Sequence, residues 1–72
     1  MSYSEALSHY MEKAGMSVIQ LSNKIGMRRS TIYALLDGRA KEPKLSTAKA
    51  IADALGTTME EMAAMAFNDD EE

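Results

Sequence analysis

Apolar residues recur along this chain at steps of three and four, the spacing that gathers them on one side of a helix. Tyr3, Leu7, Tyr10, Met11 and Ala14 form the first such stripe and predict a helix over 3–14. Ser2 and Glu5 have the spacing of a capping box at its start, in which each side chain accepts from the other's backbone N–H. A second helix is expected over 17–24, with Ser17 as N-cap, Val18, Leu21 and Ile25 as its stripe, and Gly26 at its end. The third runs from Arg28 or Arg29 to Leu36, with Ile32, Leu35 and Leu36 inward, and Asp37-Gly38 signals a turn. A basic loop with the only proline spans Arg39 to Pro43. Leu45, Ala48, Ile51, Ala52 and Leu55 then predict a fourth helix facing inward along that stripe. Thr58 and Glu61 make a second capping box, opening a fifth helix whose apolar face is Met59, Met62, Ala63, Ala66 and Phe67. No segment alternates with period two, so strands are not expected. The pattern predicts an all-α domain of five short helices over residues 1–67, followed by an acidic tail, 68–72, too polar to fold.

Length and composition narrow the possibilities. Seventy-two residues suit one domain, with a small core and little room for an enclosed catalytic cavity. The absence of cysteine excludes disulfides and thiolate metal sites. His9 is the only histidine and has no partners at metal-ligand spacing, so no metal or other cofactor is expected. No nucleophile–histidine–acid set can be assembled around it, and no glycine-rich phosphate loop is present, so the expectation is a non-enzyme. There is no apolar run of membrane-spanning length and no signal-peptide pattern at the start, so a soluble, cytoplasmic protein is expected.

The net charge of −3 conceals a division along the chain. Residues 16–50 carry five net positive charges, through Lys24, Arg28, Arg29, Arg39, Lys41, Lys44 and Lys49 against Asp37 and Glu42. Residues 51–72 carry seven net negative ones. Phosphates are met locally, so a basic face suffices for nucleic acid even on an acidic chain. A surface charge distribution with no binding role, ending in an acidic tail, fits the same numbers.

The segment Val18 to Asp37 is the most constrained. Two helices meet there across a short glycine-containing turn, the helix-turn-helix pattern. A steep crossing needs a small residue on the first helix, and Ser22 supplies it. The turn needs a residue tolerant of positive φ, and Gly26 supplies it. The second helix needs a branched aliphatic residue against the first, and Ile32 supplies it, with Leu21, Ile25 and Leu35 as matching apolar positions.

These residues carry a resemblance. Leu21-Ser22-Asn23-Lys24-Ile25-Gly26, Arg29-Ser30-Thr31-Ile32 and Leu36-Asp37-Gly38-Arg39 resemble the lambda-repressor-like domains of the Cro/CI (XRE) helix-turn-helix family. Pro43, Ile51-Ala52-Asp53-Ala54-Leu55-Gly56 and Met59-Glu60-Glu61-Met62 extend the likeness over about residues 4–66. It implies a five-helix fold, sequence-specific binding of double-stranded DNA, commonly a two-fold homodimer, and a prokaryotic or phage origin. Three positions depart from the family's habit. Val18 stands where a phosphate-contacting glutamine is frequent, Ile19 where a charge is usual, and Arg28 where the recognition helix is usually capped by serine or threonine.

In this motif the N-terminal part of the second helix meets base edges. Arg28, Arg29, Ser30, Tyr33 and Ala34 are therefore the candidate base-contacting residues: arginine pairs with guanine O6 and N7, and tyrosine or alanine packs on a thymine methyl. Ser17, Thr31, Arg39, Lys41 and Lys44 are candidate phosphate contacts, which position a protein without specifying sequence. Capping explains Ser17 equally well, local backbone bonding explains Thr31, and solvated surface explains the lysines. Of the seven methionines, Met11, Met16, Met27 and Met62 read as core filler. The fifth helix looks apolar over more than one face, which makes Met59, Met65 and Phe67 candidates for a dimer interface; closing the monomer core accounts for them as well. The expectation is a transcriptional repressor. The alternatives are an antitoxin that binds DNA and a toxin partner, or a module that uses this fold to bind protein without reading DNA.

Overall fold

The computed structural model describes residues 2–67, apart from the Phe67 side chain; the expected acidic tail, 68–72, lies outside the described residues. Five helices follow one another: α1 (Tyr3–Ala14), α2 (Val18–Ile25), α3 (Arg29–Leu36), α4 (Leu45–Ala54) and α5 (Met59–Phe67). No strand occurs among the described residues.

The helix starts follow the capping chemistry. Ser2 Oγ accepts from the Glu5 N–H, and Glu5 Oε1 accepts from the Ser2 N–H at 3.0 Å. At α2 the sequence reading found only half of the device: Ser17 Oγ accepts from Gln20, and Gln20 Oε1 accepts from Ser17 N–H at 2.8 Å, a complete capping box. At α5 the reverse holds. Thr58 Oγ1 accepts from Glu61 N–H at 3.0 Å, while the Glu61 carboxylate takes the Thr57 hydroxyl at 2.6 Å rather than closing the box.

α1 packs on α5 and α3, α2 on α3 and α4, and α4 on α5. Leu7, Leu21, Ile32, Leu35, Ile51 and Met62 are fully buried where these helices meet. Each contributes roughly 1.5–3 kcal/mol by leaving water. Met11 joins them, and Met16 and Met27 pack half-buried against the same cluster, as filler residues should.

Three inward expectations are corrected. Leu45 is 74% exposed. It is the first residue of α4, at the edge of the stripe formed by Ala48, Ile51, Ala52 and Leu55, and no element reaches past the helix end to cover it. Ala14, at the last turn of α1, is exposed for the same reason. Ala63 is exposed because α5 buries the narrower stripe of Met62 and Ala66. In their place Ala6, outside the predicted stripe, is completely buried.

Candidate nucleic-acid interface

The support of the site begins at the turn between α2 and α3. Ile25 ends α2 and Arg29 begins α3, leaving three residues to reverse the chain. Gly26 makes this possible at φ 70°, a left-handed conformation costly for any residue with a Cβ. Ser22 lies beneath the crossing, 4% exposed, its Oγ donating to the Ile19 carbonyl at 2.9 Å. The small side chain thus satisfies its own hydroxyl and leaves room for α3. Ile32 and Leu35 anchor the inner side of α3, at 0% and 2% exposure.

With that side fixed, the outer side is determined. Positions 29 and 33, and 30 and 34, are one helical turn apart and lie away from Ile32 and Leu35. Arg29, Ser30 and Tyr33 are exposed there, Tyr33 by 51%, and Ala34 is half-buried beside them. Arg28 is the N-cap of α3, extended at φ −70° and ψ 141°, and its side chain caps nothing. It is exposed. The five candidate base-contacting residues therefore run along the outer side of α3, from its N-cap Arg28 to Ala34.

The phosphate candidates divide. Ala40 N–H donates to the Ala34 carbonyl at 3.0 Å, which ties the basic loop to α3. Ser30, Thr31 and Ala34 then share a hollow of about 390 Å³ with Pro43, Lys44 and Thr47. Thr31 and Lys44 are thus brought alongside the outer face of α3, and Lys41 is exposed in the same loop. Arg39 is drawn the other way: its Nε donates to Asp37 Oδ2 at 2.9 Å, and its backbone N–H donates to Oδ1 at 3.0 Å. That backbone N–H, with the guanidinium bond and charge, holds the exposed Asp37 carboxyl below its usual range against slight desolvation. The pair offsets part of the Arg39 charge. Ser17 is exposed but engaged in its capping box. Lys49 pairs with Asp53 at 3.1 Å, one turn along α4.

One residue of this surface was not singled out from sequence. Thr47, on α4, lines the hollow with Lys44; its position depends on tertiary packing and has no local signal.

Met59 and Met65, the described dimer candidates, are half-buried and packed against the core; Phe67 concerns a side chain outside those described. No group of three metal-ligating side chains occurs among the described residues, and no helix there is long and apolar enough to cross a membrane.

A family model for the Cro/C1-type HTH DNA-binding domain matches residues 6–67. Among solved structures the chain is similar to apo-HppE, with a TM-score of 0.74 and 27% identity over 83% of this chain. The chain spans 33% of the length of that one. No curated protein matches.

Proposed function

The chain belongs to the Cro/C1-type HTH DNA-binding domain family, and from that premise we propose that it is a sequence-specific transcriptional repressor. α3 enters the major groove of double-stranded DNA, and two copies read the two halves of a palindromic site. The observation that carries this reading is the outer face of α3. Arg29, Ser30, Tyr33 and Ala34 stand together on a helix whose inner side is locked by Ile32 and Leu35. A rigid helix presenting a bidentate donor, a hydroxyl, an aromatic edge and a methyl suits direct readout of base edges. Arg28 joins them at the helix start. Thr31, Lys41 and Lys44 meet phosphates on the side of the basic loop, Arg39 does so with what its pair with Asp37 leaves free, and Ser17 does so from the start of α2.

The test is selection from a pool of random duplexes at two salt concentrations, with Arg29→Ala beside the wild type. Recovery of a palindromic site by the wild type, lost by the variant, supports the reading. A folded protein that retains no duplex even at low salt contradicts it.

A further inference from the structure

The start of α1, the start of α4 and the first turns of α5 line a groove of about 280 Å³. Tyr3, Leu45, Ala48, Met59 and Met62 make its walls apolar. Leu45 stands there at 74% exposure, the most exposed large apolar side chain among the described residues. The volume falls below the roughly 300–1,000 Å³ of sites that enclose a cofactor-sized molecule. It suits one or two apolar side chains presented from outside, and methionine walls adapt to the shape of such an anchor. The charge of the groove has one sign. Glu42 and Glu60 are its only charged lining residues. Both are exposed, and neither makes an ion pair or a side-chain hydrogen bond among the described residues. Lys44, next to Leu45 in the chain, lines the hollow at α3 instead.

That sign selects the occupant, because like charges brought together across an interface oppose binding. DNA and anionic lipid surfaces are disfavoured. So is the end of this chain, since residues 68–72 carry four carboxylates and no cation. A second copy seated groove to groove brings the same two glutamates. We infer that the groove docks a segment of another protein that presents an apolar anchor beside lysine or arginine. The anchor enters among Leu45, Met59 and Met62, and the cations meet Glu42 and Glu60. Apolar contact supplies the affinity and the charges choose the partner. A basic amphipathic helix laid into the groove has this chemistry. The inference goes beyond the reading of α3 and does not depend on it: Arg29, Ser30, Tyr33 and Ala34 line no part of the groove.

The experiment is selection of short random peptides from a displayed library on the full chain, followed by fluorescence-anisotropy titration of those recovered. Enrichment of peptides with an apolar residue within one helical turn of lysine or arginine is expected. Their binding is then compared across variants whose fold circular dichroism checks. Ala63 is exposed and lines the groove, so Ala63→Lys places a cation in it and should weaken binding roughly tenfold or more. Ala64 is equally exposed but lines the hollow with Tyr10 and Lys13. Ala64→Lys makes the same change of net charge and should leave binding unchanged, as should Arg29→Ala. Glu42→Gln with Glu60→Gln keeps the shape and should weaken binding roughly threefold to thirtyfold, with a smaller salt dependence. Three results overturn the proposal: no enrichment, enriched peptides without cations, or binding by Ala63→Lys or the glutamine pair equal to wild type. Loss of binding in Ala64→Lys or Arg29→Ala as large as in Ala63→Lys overturns it as well. Loss of DNA selection by Arg29→Ala with peptide binding intact supports the independence of the two sites, and absence of DNA selection in the wild type counts against the α3 reading alone.

Discussion

Tyr3 holds an instructive conflict between packing and hydrogen bonding. Its ring is part of the core at 7% exposure, yet its hydroxyl is buried with no hydrogen-bond partner among the described residues. An orphaned hydroxyl costs roughly 1–3 kcal/mol, so Tyr3→Phe is expected to leave thermal stability unchanged or raise it. Burial also pushes its pKa up to about 12. The folded state favours the neutral phenol, so this contribution is fully present below pH 10 and is lost as pH rises through 12. Roughly 2–3 kcal/mol of stability should disappear across that window. Denaturant melts against pH check it, and Tyr3→Phe should flatten that limb. At the outer face, Arg29→Ala is expected to cost about 1–3 kcal/mol against the preferred site and to relax preference at one base position. Lys44→Ala should weaken all duplexes alike and reduce the slope of log affinity on log salt by about 1. Titrations of matched and mismatched duplexes at several salt concentrations distinguish the two variants.

At the scale of elements, the α2–α3 turn determines where α3 lies. A Cβ at Gly26 would meet nothing within 4 Å, so the restraint there is the positive φ alone. Gly26→Ala is expected to cost about 1–2 kcal/mol, measured by denaturant unfolding. Ser22→Leu fills the crossing itself and should cost about 1–3 kcal/mol through overpacking, displacing α3 and weakening duplex binding as well. These features were legible in sequence because their signals are local. Ser2 with Glu5, Ser17 at a helix start, and Gly26 four residues after Ser22 each state their geometry within one turn of chain. The outer face of α3 was legible for the same reason, since Ile32 and Leu35 define the opposite side. Leu45 was misread because periodicity says which residues share a face, not whether another element covers it. Ala6 was missed because alanine is a weak periodic signal, although its methyl is completely buried. The Arg39–Asp37 pair shows a further limit: a cation counted toward a basic face can be engaged by a carboxylate two residues away.

Over the whole molecule, charge is segregated along the sequence, and the basic segment holds α3 and the loop that follows it. Arg28 and Arg29 stand at the start of α3 and Lys44 lines its hollow with Glu42, while Glu60 and Glu61 open α5. A net charge of −3 therefore coexists with an exposed arginine pair at the start of α3. Duplex binding should fall steeply with salt, by about 0.9 log units of affinity per log unit of salt for each phosphate neutralised. The measurement that tests the central claim most directly is mapping of backbone amide resonances during titration with a selected duplex. The account predicts the largest shifts at residues 28–34 and 39–44, with the core positions of α1 and α5 little moved. Shifts concentrated on α1 or α5, with α3 unchanged at saturation, would contradict it.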